Sequence, residues 1–181
     1  MTFCEAIHTH LSLLGREKEF SDHLNRLFEE HGIGWKIVRG EITTRGTEAF
    51  ERAVARATAR AKKAGYETPE TELEEARRDL SRRPKPDITG TIQHCMAALE
   101  CTARIVSGNE RATLGEIIAR HAAKLSIPRP LDDAIQKAWG YASEMARHVR
   151  EGRKPSREEA ELLLSLSAAI VGYLVEKHRQ R

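Results

Sequence analysis

Apolar residues recur along most of this chain at the three- and four-residue spacing of an amphipathic helix. Stretches with this pattern cover residues 1–31, 48–64, 68–83, 88–106, 113–121, 131–148 and 156–174. Gly15 interrupts the first stretch, which is therefore expected to form two helices. The pattern predicts a mostly α-helical protein.

Two short runs break the helical pattern and favour β-structure instead. They are Trp35–Val38 and Glu41–Thr44, and Arg39-Gly40 between them has the length of a two-residue hairpin turn. An isolated two-stranded hairpin is only marginally stable in water. We therefore expect one small hairpin over about 35–44 that packs against the neighbouring helices.

Capping signals and prolines divide the remainder of the chain. Asp87 precedes one helical stretch, and the capping-box patterns Thr113-x-x-Glu116 and Ser156-x-x-Glu159 precede two others. Pro84 and Pro86 must end the helix before them. The sequence thus predicts an N-terminal helical region with a hairpin over 1–83, followed by an antiparallel helical bundle over 84–181.

Composition limits the class of protein further. The chain has 181 residues, 40% of them hydrophobic, 31% charged and 5% aromatic, with a formal net charge of +3. This mild positive charge permits an anionic partner without requiring one. Three cysteines without framework spacing indicate a reducing compartment. Neither a membrane-spanning stretch nor a secretory signal is evident, so a cytoplasmic location is expected.

Several familiar motifs are absent. Gly32-x-Gly34 has no preceding strand, third glycine or following Lys-Ser, so it is not a phosphate-binding loop. His8 and His10 point in different directions on a helix and have no accompanying metal ligands. The chain also has no Gly-x-Ser-x-Gly nucleophile elbow. We therefore expect neither a metal nor a cofactor.

Arg147-His148, at the end of a predicted helix, is the strongest candidate for chemistry. Arginine can bind phosphate with a planar fork, and histidine can exchange a proton near neutral pH. Positive residues are also common at helix C-termini, where they complement the helix dipole. A phosphodiester site and a solvated helix end therefore remain alternatives.

Glu100 and Arg104 are a second candidate, four residues apart on one predicted helix. At this spacing they can form a simple intrahelical ion pair. Alternatively, they face Arg147 within the bundle, where the carboxylate would hold the arginine fork in position.

The stretch from about Ala76 to Leu174 resembles the HEPN-like helical domains of bacterial abortive-infection proteins, in particular those attached to an AbiJ-type N-terminal domain. The matching segments are Arg78-Asp-Leu-Ser-Arg-Arg-Pro-Lys-Pro-Asp87, Thr89-Gly-Thr-Ile-Gln-His94-Cys-Met-Ala-Ala-Leu-Glu100-Cys-Thr-Ala-Arg104, Ala112-Thr-Leu-Gly-Glu-Ile-Ile118, Trp139-Gly-Tyr-Ala-Ser-Glu144, Ala146-Arg-His-Val-Arg-Glu-Gly152 and Glu158-Glu-Ala-Glu-Leu162. The resemblance implies a four- or five-helix bundle, often homodimeric, that acts on RNA without a metal.

HEPN ribonucleases use an Arg, a polar residue, several spacers and a His. Arg147 matches the Arg and His148 falls at the polar position, but Glu151, Gly152 and Arg153 stand where the later His is expected. Glu100 and Arg104 resemble the family's acidic-and-basic helix motif.

The resemblance therefore implies an RNA-associated protein of prokaryotic defence. As a metal-independent endoribonuclease, it would use Arg147 to hold the scissile phosphate, His148 to transfer a proton, and Glu100 to orient Arg104 or Arg147. The missing His favours an alternative: a non-catalytic interaction or regulatory module that dimerises or binds a protein partner, such as an antitoxin.

Overall fold

The computed structural model describes residues 2–46, 48–147 and 154–180, except for the side chains at 48–49, 121–124 and 146–147. These residues form eight helices and one two-stranded sheet, which confirms the mostly α-helical prediction. In chain order the elements are α1 (Phe3–Ser12), α2 (Glu17–Glu30), β1 (Trp35–Val38), β2 (Glu41–Thr44), α3 (Glu48–Lys63), α4 (Glu67–Leu80), α5 (Ile88–Ser107), α6 (Leu114–Leu125), α7 (Leu131–Arg147) and α8 (Arg157–Arg179).

The predicted hairpin is present, with β1 antiparallel to β2 and Ile37 opposite Ile42. Both turn residues have positive φ, 50° at Arg39 and 84° at Gly40, as a type I′ turn requires. Ile37 and Ile42 are buried. The hairpin therefore packs against the helices, as its marginal intrinsic stability demands.

Side chains from three helices bind the hairpin backbone. The Asn25 amide of α2 donates to the Ile37 carbonyl at 2.9 Å and accepts from the Ile37 N–H at 2.7 Å. The Ser81 hydroxyl, just after α4, accepts from the Thr44 N–H at 2.9 Å. Glu5 of α1 accepts from the Ile42 N–H at 3.1 Å.

The predicted helix starts are confirmed. Asp87 accepts a hydrogen bond from the Gly90 N–H at 2.8 Å and so caps α5. Thr113 and Glu116 form a capping box at α6, and Ser156 and Glu159 form another at α8. The helix that was expected to end near residue 121 continues to Leu125.

α5 and α8 form the centre of the core. α5 packs against α4, α6, α7 and α8, while α3 covers a second side of α8. One continuous apolar cluster includes Leu73 of α4, Ile92 of α5, Ile117 of α6 and Leu174 of α8. This core contains residues from both sides of the loop over 81–87. The division of the chain into two regions at residue 83 stays a prediction.

Helical spacing predicts an apolar stripe on α8 through Leu162, Leu163, Leu166, Ile170, Tyr173 and Leu174, and this prediction is only partly correct. Leu163 and Leu174 are buried, but Leu162 is 58% exposed and Leu166 is 39% exposed. The other buried residues of the helix are mostly small, namely Ala160, Leu164, Ser167, Ala168, Val171, Gly172 and Val175. A Cβ at Gly172 would lie 3.7 Å from the Ala57 Cα. Small side chains thus allow α3 to approach α8 closely, while Leu162 and Leu166 remain on the outside.

α8 is the longest helix, with 23 residues. Even so, within the described ranges no helix combines the length and the apolar character needed to cross a membrane.

Glu5 anchors α1, a helix in which no side chain is buried. Besides Ile42, the Glu5 carboxylate accepts hydrogen bonds from the Thr2 N–H and from Arg83 Nη2, the latter at 3.2 Å. Burial raises the pKa of Glu5, but the hydrogen bonds from Thr2 and Ile42 and the charge of Arg83 outweigh burial and lower that pKa below its usual value of 4.5. Ionised Glu5 therefore stabilises the folded chain.

We expect Glu5→Gln to lower the free energy of unfolding by about 1 kcal/mol at pH 7, because charge-assisted hydrogen bonds become neutral ones. The folded-state pKa is depressed, so the stabilisation is present above the unfolded-state value and is lost as pH falls through the folded-state value. Urea titrations of both proteins between pH 7 and pH 3 measure this difference. A difference that stays constant below pH 4.5 would contradict the proposed role of the charge.

Candidate functional site at the α5–α6 junction

Glu100 and Arg104 lie on one face of α5, next to the start of α6. Glu100 Oε1 and Arg104 Nη2 are 2.5 Å apart, in an i to i+4 ion pair. Their side chains are 20% and 31% exposed, respectively. The structure therefore contains the simple intrahelical pair that the spacing predicts.

The same two side chains also hold the following loop. Arg104 Nε donates to the Ala112 carbonyl at 2.8 Å, and Glu100 Oε2 accepts from the Leu114 N–H at 3.4 Å. Leu114 is the first residue of α6, where free backbone N–H groups and the helix dipole favour a negative charge. The pair thus fixes the N-terminus of α6 against α5.

Arg147 is the last residue of α7, and its side chain lies outside the described part of the structure, as does the whole of His148. α7 packs on α5 and α6. Trp139 Nε1 lies 3.6 Å from the position that a Cβ on Gly115 would take, so the middle of α7 lies beside the start of α6. Arg147 follows about 12 Å further along α7. Contact between Arg147 and the Glu100–Arg104 pair stays a prediction.

Two arginines at this junction escaped the sequence-based prediction. Arg111 and Arg120 are exposed and line an open cleft of about 270 Å³ together with Asn109, Ala112 and Glu116. Asn109 Oδ1 accepts from the N–H groups of Arg111 and Ala112 at 3.4 and 3.3 Å, and so shapes the loop. Arg111 forms no ion pair with any carboxylate of the described residues.

The cleft contains one carboxylate, Glu116. Hydrogen bonds from the backbone and hydroxyl of Thr113, with a smaller effect of the Arg120 charge, hold the pKa of Glu116 below its usual range. This carboxylate is thus committed to capping α6. Glu116 and Arg120 are four residues apart, so the sequence could have predicted that Arg120 lies on the same face of α6 as Glu116.

A second polar cluster joins α4 to α5. His94 Nδ1 lies 2.6 Å from Glu72 Oε2, and His94 Nε2 lies 3.5 Å from Asp79 Oδ2. Arg82 Nε is 2.9 Å from Asp79 Oδ1, although this ion pair lacks the alignment of a hydrogen bond. Gly90 makes room for the Asp79 carboxylate, since a Cβ there would lie 2.1 Å from Oδ2.

Asp79 is nearly enclosed, with 2% of its surface exposed. Burial raises its pKa, as do the carboxylates of Asp87 and Glu75, against the opposing charges of Arg82 and His94. The Cys95 thiol is buried and its pKa is raised to about 12, so Cys95 does not act as a nucleophile. We interpret the cluster as the polar connection that fixes α4 on α5.

The described residues contain no group of three or more His, Cys, Asp or Glu side chains arranged to hold a metal ion. Comparison with known proteins gives no matching family model, no matching curated relative and no matching solved structure. The resemblance to HEPN-like domains therefore rests on the segments of this chain that carry it, and the function that it implies is a proposal.

Proposed function

We propose that this chain is an RNA-associated protein of prokaryotic defence that binds RNA phosphates at the α5–α6 junction. Its resemblance to HEPN-like domains of abortive-infection proteins supports this role. The observation that carries the proposal is the pair of exposed arginines, Arg111 and Arg120, that line one open cleft.

The chemistry of this cleft suits a phosphate backbone. Arginine is always charged and offers two parallel N–H donors to a phosphate. The cleft has a single carboxylate, Glu116, so its one negative charge offsets at most one of the two arginine charges. Arg104 lies next to the cleft and contacts its wall through the Ala112 carbonyl. Such contacts position RNA without reading its sequence.

Cleavage would require Arg147 and His148 in addition. Arg147 would stabilise the charge that develops on the scissile phosphate, and His148 would transfer the proton. Glu100 already binds Arg104 and the N-terminus of α6. Because Glu100 is already paired with Arg104, these contacts favour a role for Glu100 in orienting Arg104 and not Arg147.

The alternative is a non-catalytic interaction or regulatory module. The structural use of both Glu100 and Arg104 favours it, because the two side chains already bind the Leu114 N–H and the Ala112 carbonyl at the start of α6. The absence of the later His of the HEPN motif also favours this alternative. If the protein binds RNA but does not cleave it, it is an RNA-associated module. If it neither binds nor cleaves RNA, the protein-binding role is the interpretation that remains.

The double variant Arg111→Ala/Arg120→Ala should weaken binding to single-stranded RNA and reduce its dependence on salt. Each lost phosphate contact should lower the slope of log K against log salt by about 0.7. Fluorescence anisotropy with a labelled oligoribonucleotide at several salt concentrations measures both quantities. Arg16→Ala/Arg39→Ala removes the same two charges from exposed side chains (66% and 77%) away from this junction and is the matched control. Equal affinities for the control and the double variant would refute the proposed interface.

A further inference from the structure

The outer face of α8 is formed by residues three or four apart that lie opposite its buried face. They are Glu158, Leu162, Leu166, Ala169, Tyr173 and Lys177. Leu162 and Leu166 in its middle are exposed, and no described element of the chain covers them. Burial of leucine side chains of this size is a substantial driving force for association.

Leu166 also lines a small apolar crevice, of about 10 Å³, between α8, α7 and α5. The crevice is also lined by Ile170 of α8, Trp139 of α7, and Cys95 and Leu99 of α5. Trp139 is half-buried, so part of its ring is available to a second surface. A contiguous apolar surface with an aromatic residue is typical of a protein–protein interface.

The charges at the two ends of the outer face have opposite signs. The first turn of α8 carries Glu158, and its last turn carries Lys177 and Arg179. Glu176 also lies near the basic end, but it is already close to Arg60 and Arg179. The face is therefore acidic at one end, apolar in the middle and basic at the other end.

We propose that the outer face of α8 binds the outer face of α8 from a second copy of this chain, with the two helices antiparallel. A twofold axis between residues 167 and 168 would place Leu166 against Ala169 of the second copy, and Leu162 against Tyr173. The same axis would place Glu158 against Lys177, so opposite charges meet at both ends. A symmetric interface must be complementary to itself in this way, and a parallel arrangement would bring like charges together. The proposal goes beyond RNA binding and does not depend on it.

Sedimentation velocity over a range of concentrations tests the dimer. The parent protein should sediment as a dimer at high concentration, and Leu166→Glu should be monomeric throughout. Ile105→Glu is the matched control, since Ile105 is 41% exposed on α5 and Leu166 is 39% exposed. Circular dichroism confirms that both variants are folded. A monomeric parent protein, or a Leu166→Glu variant that remains dimeric, would overturn the proposal.

A charge exchange tests the antiparallel register without changing the apolar surface. Glu158→Lys and Lys177→Glu should each raise the dimer Kd by about tenfold, because each puts like charges together twice across the axis. The double variant Glu158→Lys/Lys177→Glu should return the Kd close to that of the parent. Additive weakening in the double variant would exclude this register. Both residues are exposed, so these variants also decide the question if Leu166→Glu fails to fold.

Discussion

Leu164→Ala is expected to lower the free energy of unfolding by about 2–5 kcal/mol. Leu164 has no exposed surface and lies in the core between the central helices. Removal of its side chain loses apolar burial and leaves a cavity that packed neighbours only partly fill. Chemical denaturation followed by circular dichroism gives the difference.

Leu162→Ala on the same helix is the matched control. The substitution is identical, but Leu162 is 58% exposed, so the loss should stay within about 0.5 kcal/mol. This control is best measured at concentrations below the dimer Kd, where association does not contribute to stability. Similar losses at both positions would mean that α8 is rotated relative to the structure.

The second large effect concerns Arg147. If the protein cleaves RNA, Arg147→Ala should abolish cleavage and cell toxicity, because the charge on the transition state loses its stabilising group. His148→Ala should lower the cleavage rate by about 10²- to 10⁴-fold, the usual contribution of general acid–base catalysis. Single-turnover cleavage of a labelled RNA measures both. Both variants should melt at nearly the temperature of the parent protein, since neither change is expected to open a core cavity.

Controls separate catalysis from binding. Arg129→Ala removes an 88% exposed arginine of the loop before α7 and should leave cleavage unchanged. A chelator should also have no effect on cleavage, because the proposed mechanism uses protein side chains alone. Toxicity and RNA binding of Arg147→Ala equal to those of the parent would remove this residue from the site.

The local architecture could be predicted because its signals are short-range. The turn residues Arg39 and Gly40 lie between two β-favouring runs, and the structure contains the expected hairpin. The capping boxes at Thr113 and Ser156 correctly marked helix starts. Each of these features depends on hydrogen bonds between residues no more than four positions apart, from the backbone in the turn and from side chains to the backbone in the capping boxes.

The orientation of α8 could not be predicted because both of its faces carry apolar residues at helical spacing. The choice between them depends on which neighbour approaches. The small side chains on one face of α8 let α3 come close at Gly172, where Arg60 Nη1 donates to the Gly172 carbonyl at 3.1 Å. A sequence pattern on one helix contains no information about that distant partner.

The candidate site shows the same limit. The ion pair between Glu100 and Arg104 follows from their spacing, but their bonds to Ala112 and Leu114 depend on the path of the intervening loop. The contact of His94 with Glu72 and Asp79 joins two helices and has no counterpart in the local sequence. The relation of Arg147 and His148 to these groups is the part of the site that remains a prediction.

Asn25, Glu5 and Ser81 have a consequence for the behaviour of the chain in solution. A two-stranded sheet has two open edges, and each is a template on which a strand from another molecule can add. Asn25 occupies both backbone groups of Ile37 on one edge, while Glu5 and Ser81 occupy the N–H groups of Ile42 and Thr44 on the other. Through Glu5 and Asn25, α1 and α2 thus cover backbone groups on both edges of the hairpin. Loss of α1 and α2 would remove Glu5 and Asn25 and expose the backbone groups of Ile37 and Ile42 to intermolecular β-pairing, although Ser81 would still cover Thr44. We expect the truncated chain to become prone to aggregation.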